Sequence, residues 1–147
     1  MSVTKAFKMQ ESVTFALRAQ NKGVNYLIIG ASDQTILLYS EVDGYQTYKT
    51  LYFSSHVSTA MQLDDETICI GSYRALHFLN FDENGFLFKR DTVKVEESVM
   101  CIHRLTAEVL LIGQYQGYID FVEHQMRRCN LSSYNIDMAV MPTVKCV

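Results

Sequence analysis

A strand-like segment with an internal glycine occurs three times in this chain, and this repetition constrains the fold more than any other feature. Each copy has an apolar stretch, a glycine with small or polar neighbours, and a second apolar stretch. The copies are Tyr26–Tyr39, Thr67–Leu79 and Val109–Val122. Their glycines, Gly30, Gly71 and Gly113, lie 41 and 42 residues apart. A fixed period of roughly 40–45 residues is typical of repeat proteins in which one unit holds four strands.

The residues around each copy predict strands rather than helices. Ser12–Arg18 alternates apolar and polar residues, as a half-buried strand does. The pairs Asp43–Gly44 and Asn84–Gly85 indicate hairpin turns, because their residues tolerate positive φ. A helical stripe is conceivable only over Glu11–Gln20, and there the β-branched and aromatic residues favour the strand. The sequence therefore predicts an all-β protein.

The repeat predicts how the chain is divided. We expect a lead-in segment, three units of four antiparallel strands, and the first strand of a further, incomplete unit. The bounds are 1–11, 12–54, 55–97, 98–137 and 138–147. Within the first unit we expect Tyr26–Tyr39 to form the inner half, with the fourth strand beginning at Tyr45. We attribute Gly30 and its equivalents to the geometry of the turn that follows.

The composition excludes several classes of protein. The 147 residues are 48% hydrophobic and 20% charged, which is typical of a globular domain. A net charge of −3 gives no basic surface for nucleic acid, and no apolar run approaches the length of a membrane span. The chain begins without a signal peptide and its four cysteines are widely spaced, so we expect reduced thiols, with Cys69 and Cys101 buried in strands. These features predict a soluble protein of the cytoplasm.

The three glycine-containing segments resemble the blades of WD-repeat β-propellers. In that family a second strand ends in a small-residue turn, and an Asp–Gly-like pair opens a third strand ending in Trp–Asp. Asp33–Gln34 and Gln116–Gly117 partly match the turn pair, whereas Arg74–Ala75 does not. The chain has no Trp, and Ser55–His56 is the only remnant of the Gly–His pair. The resemblance implies a propeller whose blades are held together by packing rather than by the family's side-chain network.

The number of units is too small for a ring. A period of about 41 residues gives roughly three and a half blades, whereas closed propellers have four to eight. An open fan leaves sheet faces and strand edges that favour association. We therefore predict a partial β-propeller that belongs to a longer protein, or that is completed by a second copy or by another chain; a self-contained small β-domain is the alternative.

The sequence shows no arrangement typical of catalysis or of a bound cofactor. The four histidines and four cysteines have no zinc-site spacing; Cys101 and His103 could share a strand face, but a metal site needs three or four ligands. The carboxylate pairs Asp64–Asp65 and Glu96–Glu97 fall in predicted turns, where solvent would leave them without catalytic pKa values. We expect no catalytic residue, no metal and no cofactor.

Polar and aromatic residues at the predicted turns form the best candidate site. Tyr73 and Tyr115 occupy equivalent turns between second and third strands, and Tyr and Arg are common anchors of protein interfaces. By the propeller resemblance these turns share one face with the inter-blade connections. The predicted partner-binding residues are Ser32, Asp33, His56, Tyr73, Arg74, Tyr115 and Gln116. The predicted function is a non-catalytic scaffold for protein partners; the alternative is a ligand-sensing or regulatory propeller domain of a larger enzyme.

Overall fold

The described residues form three sheets of four strands. The computed structural model describes residues 8–123 and the backbone of 144–146. The first sheet contains β1 (Val13–Asn21), β2 (Val24–Ala31), β3 (Thr35–Ser40) and β4 (Tyr48–Tyr52). The second contains β5 (Val57–Gln62), β6 (Thr67–Ser72), β7 (Ala75–Phe81) and β8 (Leu87–Lys94). The third contains β9 (Val99–Arg104), β10 (Val109–Gln114), β11 (Ile119–Glu123) and β12 (Val144–Cys146). The all-β prediction is confirmed.

The strands of each sheet follow one another in chain order, which is the meander of a propeller blade. All neighbouring strands are antiparallel except β11 and β12, which run parallel. The sequence placed 138–147 at the start of a further unit, but Val144–Cys146 instead forms the outer strand of the third sheet. Without β12, the edge of β11 would expose unpaired backbone groups, and such an edge favours pairing with an extended segment. The rest of that stretch, 138–143 and 147, lies outside the described residues.

Two hairpins show how local sequence determines the turns. Lys22 and Gly23 both have positive φ, 51° and 78°, and connect β1 to β2 by a tight two-residue turn. At Asp43 the predictions of a tight hairpin and of a fourth strand beginning at Tyr45 were wrong. The Asp43 carboxylate accepts hydrogen bonds from the backbone N–H groups of Gln46 and Thr47, at 3.2 and 3.1 Å. The chain therefore makes a 3-10 turn and a longer loop before β4 begins at Tyr48.

A bulge recurs at the start of the first strand of every sheet. The extra residues are Thr14 in β1, Ser58 in β5 and Met100 in β9. Immediately after each bulge, the first strand pairs with the repeated glycine in the second strand: Phe15 with Gly30 and Thr59 with Gly71 in the first two sheets. The repeat therefore extends to the irregularities of the strands, which are typically preserved features of a fold.

Close packing explains the repeated glycines, so their attribution to turn geometry was wrong. Gly30, Gly71 and Gly113 lie inside strands and have no positive φ. A Cβ atom on Gly71 would lie 2.6 Å from the Val99 side chain, and one on Gly113 would lie 2.5 Å from the Cys101 sulfur. These separations are far below a van der Waals contact. A side chain at any of these positions would collide with the strand beside it.

The sheets stack as a fan with the second sheet in the middle. Ile28 and Ile36 of the first sheet pack against one face of the second, and Leu110 and Ile112 of the third pack against the other. Contact between neighbouring sheets concentrates at β1, β5 and β9. The first strands are therefore innermost, and Tyr26–Tyr39 forms the middle of its blade rather than the inner half. This arrangement is that of a partial β-propeller.

Candidate partner-binding face

Hydrogen bonds between sheets show that the three first strands run in the same direction. The Ser58 hydroxyl near the start of β5 donates to the Val99 carbonyl at the start of β9, at 2.5 Å. At the other ends, the Gln62 amide of β5 donates to the Gln20 carbonyl of β1, at 2.6 Å. Because the sheets share this orientation, their turns between second and third strands lie at the same end of the fan. We call this end the turn face.

The main chain fixes each turn of the turn face in the same way. The backbone N–H groups of Ser32, Tyr73 and Tyr115 donate to the carbonyls of Ser12, His56 and Ser98, at 2.9, 3.1 and 2.9 Å. Each acceptor comes just before the first strand of its own sheet. No side chain takes part in these bonds. The first residue of every turn is thus fixed, and its side chain can differ from sheet to sheet.

The turns also share a left-handed residue. Gln34, Arg74 and Gln116 have φ of 69°, 56° and 63°. This conformation is uncommon outside glycine and places the side chain at the crest of the turn. From the sequence, Arg74 did not match the turn pair of the family, yet its backbone follows the same path. The match at this turn lies in the backbone rather than in the residue types.

Tyr73 and Arg74 are neighbouring exposed side chains on the turn face that contact each other. Tyr73 is 51% exposed, and the Arg74 guanidinium lies 5.4 Å from the centre of its ring. The same guanidinium is 3.7 Å from the Glu97 carboxylate, which precedes β9 of the next sheet. An exposed ion pair of this kind adds little stability. The guanidinium therefore lies between the Tyr73 ring and the Glu97 carboxylate.

Ser32 and Asp33 are bonded within the first sheet. The Ser32 hydroxyl donates to the Glu11 carboxylate at 3.3 Å, and the Asp33 carboxylate accepts from the Thr35 hydroxyl at 2.6 Å. His56 is exposed, and its backbone carbonyl is the acceptor for Tyr73. These three predicted residues therefore shape the turn face through contacts with residues of neighbouring turns and strands.

The third sheet contributes further exposed aromatic and apolar side chains to the turn face. Tyr115 is 59% exposed, and Gln116 beside it is exposed as well. Tyr118 and Met100 were not predicted. Tyr118 is 47% exposed and lies on the same turn, and Met100 is 58% exposed and lies on the bulge of β9. Tyr118 could have been predicted from its place in the turn, because turn residues point away from the core. Met100 could not, because the apolar pattern of the strand gave no sign of the bulge.

A buried histidine was also missed. His77 in β7 is 8% exposed; its ring nitrogens lie 3.0 Å from the Ser72 hydroxyl and 3.0 Å from the Thr92 hydroxyl. The ring of Phe53 from the first sheet packs against it, with centroids 5.0 Å apart. Burial, and to a smaller extent the charge of Lys89, lowers the pKa of His77 to about 4. The imidazole is neutral at physiological pH and links three strands of the second sheet.

The third sheet has a different polar pair at the same level. The amide of Gln114 donates to the Asp120 carboxylate at 3.0 Å, and both residues are buried. The side-chain oxygen of Gln114 accepts a hydrogen bond from the backbone N–H of Glu97 at 2.9 Å. This pair connects β10 to β11 and to Glu97, which precedes β9. It stabilises the base of the turn that carries Tyr115.

The described residues contain no group of three or more His, Cys, Asp or Glu side chains that could hold a metal ion. Cys101 and His103 share the outward face of β9, as alternation predicts, because Ile102 between them faces the second sheet. Cys101 is therefore exposed rather than buried, whereas Cys69 is buried, and both are free thiols. Within the same residues, no helix is long and apolar enough to cross a membrane.

Two clefts lie away from the turn-face aromatics, both at the first sheet. One, of about 290 Å³, separates the β3–β4 loop from the β7–β8 hairpin of the second sheet. The other, of about 380 Å³, lies on the outward face of the first sheet between residues 8–11 and β4. Leu37 and Tyr39 line this second cleft.

The comparisons with known proteins assign no family. No protein-family model matches the sequence, and no curated protein matches it. Among solved structures, the chain is similar to BBS1N, crystallised in complex with ARL6DN, at 13% identity and a TM-score of 0.49. That match covers 82% of this chain and 41% of BBS1N, so the chain spans less than half of it. The computationally designed Ika4 protein matches at 13% identity and a TM-score of 0.42, covering 78% of this chain and 92% of Ika4. At these values the likenesses bear on neither function nor partners.

Proposed function

We propose that this chain is a non-catalytic protein-interaction module, built on a WD-like partial propeller, whose turn face contacts a protein partner. The observation that supports this most is the pair Tyr73 and Tyr115. They occupy the same turn in adjacent sheets, both are more than half exposed, and both turns are fixed by the same main-chain bond. Exposed aromatic side chains on a rigid framework are typical anchors of protein interfaces.

The energetics of such a surface favour binding. A tyrosine offers a large contact area and has only two side-chain torsions to immobilise. The backbone beneath it is already ordered, so little conformational entropy is lost when a partner binds. Arg74, which lies between the Tyr73 ring and the Glu97 carboxylate, adds a cation beside the aromatic ring. Arg is enriched, like Tyr, among residues that dominate binding energy.

Site-specific photo-crosslinking tests the proposal. Tyr73 and Tyr115 would each be replaced in cells by a photoreactive phenylalanine analogue, which keeps the aromatic ring. Phe88 is the matched control, because it is 46% exposed but lies opposite Asn80, at the end of the strands away from the turn face. We expect discrete crosslinked species, of the same mass for positions 73 and 115, and none of that mass for position 88.

Further substitutions separate binding from folding. Tyr73→Ser and Tyr115→Ser together should abolish the crosslink from a third turn-face position, Tyr118, while the free energy of unfolding changes by less than about 0.5 kcal/mol, as for other exposed sites. Crosslinks of equal yield from all positions, including Phe88, would show non-specific contact and contradict the proposal. So would a folded double variant that retains the crosslink from Tyr118.

A further inference from the structure

The cleft between the first and second sheets has features of a binding site that are independent of the turn face. It lies at the opposite end of the strands, between the β3–β4 loop and the β7–β8 hairpin. Its volume of about 290 Å³ is close to the lower limit of small-ligand pockets, about 300 Å³. The groups that matter in its lining are Tyr26, Val42, Tyr48, Lys49, Asn84 and Gly85.

The Tyr26 hydroxyl is a polar group in this cleft without a partner. Tyr26 is only 7% exposed, and its ring packs on Phe81 of the second sheet with centroids 4.9 Å apart. Its hydroxyl lies against Gly85, where a Cβ atom would collide with it. No described residue forms a hydrogen bond with it. Burial, followed by the nearby Asp82 carboxylate, raises the pKa of Tyr26, so the hydroxyl stays protonated and can donate.

Lys49 places a positive charge at the same hairpin. Its ammonium lies 5.3 Å from the centre of the Phe86 ring, the residue after Gly85. Within the described part of the chain, its ammonium has no carboxylate at ion-pair distance. The carboxylate that does line the cleft, Asp43, already accepts from the Thr47 hydroxyl at 2.5 Å and from two backbone N–H groups. The Asp82 carboxylate nearby accepts from the backbone N–H groups of Asn84 and Phe86, at 2.8 and 2.9 Å. With both carboxylates engaged, the Lys49 ammonium and the Tyr26 hydroxyl are donors available to a ligand.

An apolar rim lies next to these donors. Val42 is 78% exposed, because the 3-10 turn that contains it directs its side chain to solvent. Tyr48 at the start of β4 is 56% exposed. A ligand that places a negative charge near Lys49 and the Tyr26 hydroxyl would at the same time cover these two side chains. Removing that apolar surface from water contributes about 25 cal/mol per Å².

We propose that this cleft binds the C-terminal carboxylate of a peptide whose last residue is apolar. A chain terminus carries a negative charge and an apolar side chain on one residue, which matches both the donors and the rim. The space of about 290 Å³ suits one such residue. The carboxylate accepts from the Lys49 ammonium and the Tyr26 hydroxyl, and the side chain packs on Val42 and Tyr48. The site does not depend on the turn face.

Titrations followed by amide chemical shifts test this inference. The probes are N-acetyl-leucine, N-acetyl-leucinamide, and N-acetyl-glutamate N-methylamide, added at millimolar concentration to the labelled protein. We expect N-acetyl-leucine to shift the backbone amides of Asn84 and Gly85 in a saturable way, and the amide to leave them unchanged. Equal shifts by the amide would overturn the role of the carboxylate. Stronger binding of the glutamate probe would overturn the choice of a chain terminus over an acidic side chain.

Two variants test the residues. Tyr26→Phe and Lys49→Gln should each weaken binding of N-acetyl-leucine roughly three- to tenfold, the loss expected for one hydrogen bond. The matched control is Lys22→Gln, which removes an exposed lysine outside the cleft. Because the Tyr26 hydroxyl has no partner in the fold, Tyr26→Phe should keep the urea midpoint of the wild type. Unchanged affinity in both variants, or a lowered midpoint for Tyr26→Phe, would contradict the assignment.

Discussion

The first and second sheets have the same strand order, the same bulge and the same buried glycine, but different neighbours. Within the part of the chain that the structure describes, the second sheet is covered on both faces by other sheets, whereas the first is covered by a sheet on one face. On the other face of the first sheet, Leu37 and Tyr39 line a cleft of about 380 Å³. The equivalent of Leu37 in the second sheet is His77, which packs on Phe53 and bonds two hydroxyls.

This difference shows that the repeat determines the backbone and the neighbours determine the side chains. Leu37 and His77 pair with Ile29 and Ile70 at the same place in the ladder. A buried position inside the fan can be polar only if its partners are supplied within the sheet. At the end of the fan, an apolar side chain needs no such partners. Substitutions that exchange or remove the distinguishing groups should therefore affect the two sheets unequally.

The largest effect is expected at the glycines. In Gly71→Ala the new methyl group would meet Val99 and Thr59, at 2.6 and 2.8 Å, and Val99 is fully buried between two sheets. We expect a loss of about 3 kcal/mol in the free energy of unfolding. Gly30→Ala should cost roughly 1 kcal/mol, because the half-buried Phe15 ring can move aside. Urea unfolding of both variants measures the difference, and equal losses would contradict the importance of the covering sheet.

The buried histidine comes next. His77→Leu places the first sheet's residue type in the second sheet and removes the partner of the Ser72 and Thr92 hydroxyls. Because Ser72 keeps a bond to the Ala75 carbonyl and Thr92 reaches solvent, we expect a loss of only about 1 kcal/mol at pH 7.

The pH dependence of the same variant is the sharper test. The pKa of His77 is about 4 in the fold and about 6.5 in the unfolded chain, so the unfolded state binds the proton first as the pH falls. The stability contributed by the neutral imidazole is complete above pH 6.5 and is lost towards pH 4. Between pH 7 and pH 4.5 the wild type should lose about 2 kcal/mol more than His77→Leu. Parallel profiles would show that the imidazole is not buried as described.

The smallest effect is expected at the bulges. The Ser58 hydroxyl bonds to the Gly71 carbonyl at 3.1 Å and to Val99 of the next sheet. The equivalent Thr14 hydroxyl is buried without a partner among the described residues. Ser58→Ala should therefore cost about 1 kcal/mol, whereas Thr14→Val should be neutral or slightly stabilising. Thermal unfolding of the two variants measures this, and a destabilised Thr14→Val would show that the hydroxyl has a partner.

The sequence was sufficient to predict the class of fold and the positions of most strands. Period-two alternation and turn residues such as Lys22 and Gly23 act locally, so they can be recognised without coordinates. The spacing of the glycines predicted three sheets, although the glycines themselves were wrongly attributed to turn geometry. Gly71 is instead required by its close packing against Val99, which is 28 residues away in the chain, and no local pattern encodes such a contact.

The candidate sites were less predictable. The turn-face residues were identified because equivalent turns share a position in the repeat. His77 was missed because the equivalent residues in the other two sheets are Leu37 and Asp120. No shared residue type therefore identifies this position in the repeat. The cleft at Tyr26 was missed for a different reason: the hydroxyl meets Gly85 of another sheet, and a tyrosine in an apolar strand resembles any other core residue. Burial and free hydrogen-bonding capacity become visible only in three dimensions.

The main-chain bonds that fix the three turns have a practical consequence for the chemistry of this surface. Ser32, Tyr73 and Tyr115 hold their positions through backbone N–H groups, so the fold already accommodates both a small hydroxyl residue and a large aromatic one there. Any residue other than proline can donate the same bond. These three positions are therefore places where new side chains can be introduced without rebuilding the scaffold, and binding selectivity could be redesigned one turn at a time.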